Sequence, residues 1–238
     1  MDGRSEVPVM KLKFVTPRHA LANTIDKWLT PAFPSWYKDL KISDYEAIKQ
    51  DLKVARNCPA FVHLFKNSLL LRAPQDICSW IHDEGISFEV PSHPPSLNFG
   101  AFDFGKSMGK EWAKYNSVKI DVDGSFIPEE GTTCLFFDPM YHLDDRVPLT
   151  AMTGVWPMYP DLYTPLAINM MGNRDCYDEN GFLLIPRGTP LAYLYFPQGK
   201  PTIETETVSF EEYEQKHMYV RTDFVGDFLK KEKEVLKE

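Results

Sequence analysis

Cysteine is scarce in this chain: 238 residues contain four, Cys58, Cys78, Cys134 and Cys176, no two of them closer than twenty positions. None has the close spacing of a zinc knuckle or a redox Cys-x-x-Cys, and four would make a sparse disulfide framework at this length. Reduced, mostly buried thiols are the expectation. Long apolar runs are missing too, since none approaches the ~20 residues that cross a bilayer. The first residues, Met1 to Pro8, lack the apolar stretch of a secretory leader. A soluble protein made in a cytoplasm, without a membrane partner, is expected. Positive charge is in deficit, 26 Lys and Arg against 34 Asp and Glu, a net charge of −8. That balance lacks the basic footprint of a nucleic-acid binder. No Gly-x-Ser-x-Gly elbow occurs, so a triad hydrolase of that type has no support. No repeat of solenoid period is visible.

What the chain does have is apolar and aromatic residue, 43% and 13%, enough to fill a core. The clearest segment is Gly181–Pro197, in which the apolar runs Phe182–Ile185 and Leu191–Phe196 flank Pro186-Arg187-Gly188-Thr189. Proline presets φ for a turn and glycine supplies a positive φ, so the segment predicts a hairpin of two buried strands. Gly188 is expected at positive φ, with Leu184, Leu191 and Leu194 aimed at one core face.

Elsewhere the pattern is also mostly that of strands. Val9–Val15 alternates apolar residues with lysine, as an exposed first strand would. Short apolar runs recur at 69–71, 77–81, 86–90, 117–122, 133–137 and 166–171. His82-Asp83-Glu84-Gly85 and Asp123-Gly124 read as turns. The stretch 91–109, with its prolines and glycines, reads as irregular. Trp28–Trp36 is punctuated by prolines and reads as an extended aromatic arm packed on the core. Ser43-Asp44-Tyr45-Glu46 has the form of a capping box, predicting a helix at about 44–56. A helical turn is expected around 59–66. Residues 209–238 carry Phe210, Tyr213 and His217 among many charges and read as a charged helix with a fraying end. The predicted fold is therefore α+β and β-dominated: a compact barrel or two-layer sheet, with an N-terminal helix and a C-terminal charged helix. Residues 1–208 would form one β-rich domain and 209–238 a helical appendage.

Gly100-Ala101-Phe102-Asp103-Phe104-Gly105-Lys106-Ser107 matches the letters of a phosphate-binding loop. Such a loop needs a strand feeding it and a free backbone to wrap phosphates. The prolines at 94 and 95 argue against the strand, and Phe102 and Phe104 occupy wrapping positions. Asp121-Val122-Asp123-Gly124-Ser125 lacks the glycine position and closing glutamate of a calcium loop. His142-Leu143-Asp144 has the spacing that places an imidazole and a carboxylate together at a strand end. With His217 it would make a facial triad for Fe(II), and Arg221 would hold the carboxylate of a 2-oxoglutarate-type co-substrate. Against this stands a loop of ordinary surface polar residues. The aromatics Trp28, Phe33, Trp36 and Tyr37, with Arg187 at the turn tip, are the candidate interface, because Trp and Tyr dominate interface energetics. No catalytic residue and no cofactor are predicted on the leading reading.

Several segments, taken in order, carry a family resemblance. They are Pro34-Ser35-Trp36-Tyr37-Lys38, Arg56-Asn57-Cys58-Pro59-Ala60-Phe61, Pro91-Ser92-His93-Pro94 and Pro128-Glu129-Glu130-Gly131-Thr132-Thr133-Cys134-Leu135-Phe136, followed by Asp138-Pro139, Asp144-Asp145-Arg146 and Ile185-Pro186-Arg187-Gly188-Thr189-Pro190. The series resembles a family of uncharacterised tailed-bacteriophage proteins of marine and cyanophage type, over roughly residues 34–197. It departs from that family at Gly131-Thr132-Thr133, where the family often has Gly-Tyr-Ser. The resemblance implies a phage-like source, in the host cytoplasm or the virion. It implies no activity. On that basis the chain is expected to be a non-catalytic accessory protein that binds copies of itself or another phage protein. The Fe(II) oxygenase is the alternative.

Overall fold

The computed structural model describes residues 10–39, 58–82, 85–91, 97–101, 115–142, 147–160 and 162–216. It is strand-rich, a β-dominated α+β fold; the described strands form three sheets and close no barrel. The largest sheet is organised around β7 (Asn116–Pro128). One edge of β7 is shared by β6 (Leu97–Ala101) and β1 (Lys11–Thr16), and the other carries β11 (Thr164–Gly172). Strand β14 (Thr202–Thr207) lies parallel to β1, and β9 (Thr150–Ala151) pairs with β11. The second sheet runs β10 (Gly154–Met158), β8 (Thr132–Phe137), β13 (Pro190–Tyr195), β3 (Ser68–Arg72), β2 (Leu29–Pro31). The third is β12 (Phe182–Ile185), β4 (Ile77–His82), β5 (Gly85–Glu89).

One apolar core draws on all three sheets: Leu12, Phe14, Ile120 and Phe126 from the first, Leu71 and Leu194 from the second, Ile77 and Ile185 from the third. The first sheet keeps its two faces apart by simple alternation. On β7, Val118, Ile120, Val122 and Phe126 enter the core, while Ser117, Lys119, Asp121, Asp123 and Ser125 take the other face. Ahead of β2 come two helical turns, α1 (His19–Ala22) and α2 (Ile25–Trp28). The central strands of the second sheet, β3 and β13, are buried on both faces. Leu69 and Leu71 of β3 point into the main core, whereas Leu70 points the opposite way beneath α3 (Ser35–Asp39) and α4 (Pro59–Lys66). Two-faced burial is why β3 and β13 read as unbroken apolar runs.

Several expectations change. The first strand, β1, is interior to its sheet, because β14 returns to cover the side an edge strand would leave open. Asp123-Gly124 is no turn; both residues lie inside β7. A Cβ at Gly124 would run into the ring of Phe14, so this glycine is there for close approach within a strand. Leu97–Ala101 is a strand, not irregular chain, supported by pairing with Val118–Val122. Trp28–Trp36 is not an extended arm. Trp28 ends a helical turn, the next three residues pair with β3, and Ser35 opens a helix. Strands β4 and β5 do pair antiparallel, with His82 opposite Gly85, residues 83 and 84 lying outside the described set, and Pro59–Lys66 is helical. Residues 210–216 are helical, and Ser209 caps them by accepting from the Glu212 amide at 3.1 Å. The helix predicted at 44–56 and the chain beyond 216 lie outside the described residues.

The predicted hairpin is the most instructive correction. The turn is real: Thr189 N donates to Pro186 O at 3.1 Å, and Gly188 has φ +88°. Yet its two strands do not pair with each other. Strand β12 pairs with β4 in the third sheet and β13 with β3 in the second. The turn lies alongside the chain linking β3 to β4, where Gly188 N donates to Ala73 O and Ala73 N to Thr189 O. Arg72 Nη1 donates to Gly188 O at 2.8 Å. Two antiparallel chains thus bend together from one sheet into the next, as strands do where they switch sheets at a corner. A register shift between Pro190 and Ala192 marks the bend. Beyond it only one face of β12 is buried, so Leu184 is 45% exposed while Leu191 and Leu194 are fully buried.

Candidate functional site

The outer face of the second sheet carries a layer of aromatic rings, and four of the eight sequence-predicted candidates, Phe33, Trp36, Tyr37 and His142, converge there. Alternation along β13 sends Leu194 into the main core and Tyr193 outward. Phe137, at the end of β8, stands opposite Tyr193 with ring centroids 5.3 Å apart. The chain then turns at Pro139, where His142 N donates to Pro139 O at 2.9 Å. The Asp138 carboxylate fixes this turn to the neighbouring strand by accepting from Ala151 N at 3.0 Å. That geometry brings Tyr141 and His142 over Tyr193, the His142 ring at 5.6 Å.

Two helices close the layer. Phe61 and Phe65 are four apart on α4 and share a face; Phe61 meets Tyr141 edge-on at 5.2 Å, and Phe65 meets Tyr37 edge-on at 5.0 Å. From α3, the Trp36 indole donates to Tyr141 O at 2.7 Å. Phe33 lies 5.5 Å from Tyr37. The inner rings, Tyr37, Phe65 and Tyr193, are buried; Phe33, Trp36, Phe61, Phe137 and Tyr141 are half-buried, and Met140 beside them is 45% exposed.

His142 and the Tyr193 hydroxyl are among the polar groups buried within these rings. His142 is only 4% exposed. The Tyr193 hydroxyl is buried with no hydrogen-bond partner among the described residues. Burial pushes the Tyr193 phenol well above its ordinary range, the neighbouring Tyr141 and Asp138 add to that, and Arg72 opposes it. At neutral pH the layer therefore offers ring faces, a neutral phenol and an imidazole. These groups suit stacking and burial.

Of the predicted interface residues, Phe33, Trp36 and Tyr37 belong to this layer. Trp28 does not. It is 2% exposed in the main core, edge-on to Phe14, and its indole donates to Leu21 O at 3.1 Å. Arg187 is exposed at the corner turn, its backbone amide donating to Asp76 Oδ1. Of the triad, His142 is in the layer, and Asp144 and His217 lie outside the described residues. Among the described residues no three His, Cys, Asp or Glu side chains form a group able to hold a metal. A strand, β6, does lead into the Gly100–Ser107 pattern, contrary to the expectation drawn from its prolines; residues 102–107 are outside the described set. Asp121 and Asp123 are buried on the polar face of β7, and Asp123 accepts from Arg18 Nε at 2.7 Å. The thiol of Cys134 is buried and pushed up by desolvation, which keeps it protonated and inert.

Phe61, Phe65, Tyr141 and Tyr193 were not singled out from sequence, although the i, i+4 pair in α4 was a visible signal. No helix among the described residues is long and apolar enough to cross a membrane. No protein-family model, no curated protein and no solved structure matches this chain.

Proposed function

We propose that this chain is a non-catalytic, phage-like accessory protein that self-associates through the aromatic layer on the second sheet. The observation that carries the reading is the half-buried rim around Trp36 and Tyr141, continuous with the exposed Met140, above a fully buried aromatic floor. Aromatic residues and methionine are the types enriched in protein–protein contacts, and a desolvated aromatic floor gives such a contact its rigid anchor. The phage-like source rests on the ordered motifs of residues 34–197, and Pro34–Lys38 and Cys58–Phe61 among them help build the layer.

Light scattering coupled to size exclusion tests the reading. The wild-type protein is expected to run as an oligomer at micromolar concentration, and Met140→Glu to shift it toward monomer with an unchanged melting temperature. A wild-type monomer across the accessible concentration range defeats the proposal.

A further inference from the structure

The sheet edges differ in how they are guarded. In the second sheet, β2 is three residues long and ends in Pro31, and β10 contains Pro157. On β12 the outward amide and carbonyl of Phe182 are both taken, by the Asp178 carboxylate at 2.8 Å and the Asp178 amide at 2.9 Å. On the far side of the largest sheet, β9 has only two residues. Short strands, prolines and bonded edges are the ordinary means of blunting an edge. Strand β14 has none of these, and only the charges of Glu204 and Glu206 stand on it.

Its geometry is set by the parallel ladder with β1. Thr202 N donates to Met10 O at 2.8 Å and Val208 N to Thr16 O at 3.2 Å, so the even-numbered residues face β1. Ile203, Thr205 and Thr207 therefore direct their amides and carbonyls to the free edge, where no described strand pairs with them. The even-numbered side chains, Thr202, Glu204 and Glu206, are exposed. Glu206 pairs with Lys13 at 3.0 Å, whereas Glu204 makes no ion pair among the described residues. Residues 202–216 hold five glutamates against one lysine.

We propose that the free edge of β14 takes up an extended, basic peptide segment of a partner protein as an added antiparallel strand. In that pairing Ile203, Thr205 and Thr207 form the hydrogen-bonded positions. Glu204 and Glu206 then fall at the non-hydrogen-bonded positions, where opposed side chains come closest. Lysine or arginine at alternate positions of the partner would face both carboxylates. A second copy of β14 is a poor occupant, because two-fold pairing centred on Thr205 sets Glu204 against Glu206 of the other copy twice over. Backbone ladders supply affinity in strand addition and side chains supply selection. The inference extends the reading of this chain as a binding protein to a second surface. Its failure leaves the aromatic layer untouched, since that is read from oligomeric state and not from peptide binding.

The test is anisotropy of a labelled, end-capped peptide of alternating lysine and threonine titrated with the whole protein, beside its glutamate–threonine counterpart. The lysine peptide is expected to bind and the glutamate peptide to bind at least about tenfold more weakly, each tenfold being one affinity decade. Thr205→Pro removes an outward amide without touching the ladder to β1, and Glu204→Lys reverses the free charge; each is expected to weaken binding by about tenfold or more. Should Thr205→Pro fold poorly, hydrogen exchange on the wild-type protein gives the same answer: the peptide should slow the amides of Ile203, Thr205 and Thr207. No binding overturns the proposal. So does binding that leaves these amides and the Thr205→Pro affinity unchanged, which would be charge attraction without an added strand. An oligomer that Thr205→Pro dissolves would give the edge to a second copy, against the proposal.

Discussion

The second and third sheets share one bent ribbon, β3–β4 against β13–β12, yet they use apolar residues differently. Before the corner, every residue from Pro190 to Leu194 is buried, because the main core lies on one side and the aromatic layer on the other. After it, Phe182–Ile185 is equally apolar in sequence, but only Leu183 and Ile185 are buried. Trp80 and Phe182 meet on the outer side at 5.3 Å, both half-buried, next to the exposed Leu184. An unbroken apolar run therefore does not by itself report burial on both faces. What decides is whether another layer of chain arrives to cover the second face.

The difference is measurable in matched leucines. Leu194→Ala, in the two-faced sheet, should destabilise by ~2–5 kcal/mol through the cavity it leaves in the main core. Urea unfolding measures it, and a loss below about 1 kcal/mol would mean that the core closes over the gap. At the corner itself, Gly188→Val should cost about 1–3 kcal/mol. No atom lies near enough to clash with a Cβ at Gly188, so this loss is purely the strain of a β-branched residue at φ +88°. Gly188→Asn, which tolerates that region better, should recover part of it. On the open side, Leu184→Ala should fall within about 0.5 kcal/mol of wild type, as surface substitutions usually do. A loss there as large as at Leu194 would show that the third sheet has a covered outer face, and the contrast would collapse.

Much of the strand content was legible because alternation and apolar runs are local signals. Apolar runs such as Leu69–Leu71 and Leu191–Phe196 announced themselves as strands. Partner choice was not legible. Nothing in Phe182–Pro197 says that its two strands belong to different sheets, because that depends on Ala73, more than a hundred residues earlier, bonding both Gly188 and Thr189. Gly124 misled for a similar reason. Aspartate–glycine is a local turn signal, and only the distant Phe14 ring explains why this position has no side chain. The candidate site was half visible. Phe33, Trp36, Tyr37 and His142 were noticed, but as two unrelated features, since the link between them is the Trp36 bond to Tyr141 O and the shared floor of Tyr193. Trp28 looks the same as Trp36 in sequence and lies in the other core.

The finest contrast lies between neighbours on one strand, Leu194 and Tyr193, both fully buried and facing opposite layers. Tyr193→Phe removes a hydroxyl that has no partner among the described residues, so at neutral pH stability should stay the same or rise by up to about 1 kcal/mol. Alkaline pH separates the two proteins further. The folded Tyr193 phenol is held above its ordinary pKa by burial, so as pH rises past about 10 the unfolded chain loses this proton while the folded chain keeps it. The folded state then binds more protons, and stability must fall with rising pH, by at most about 1.4 kcal/mol per pH unit from this one group. Below pH 10 both states hold the proton and the contribution vanishes. Tyr177, also pushed up by burial and pulled back by its bond to Ser79, remains in the variant, so Tyr193→Phe should flatten the alkaline slope without abolishing it. Unfolding curves at pH 8, 10 and 10.5 for both proteins decide it. Equal alkaline slopes would mean that the phenol ionises with solvent access and that the floor of the aromatic layer is open to water.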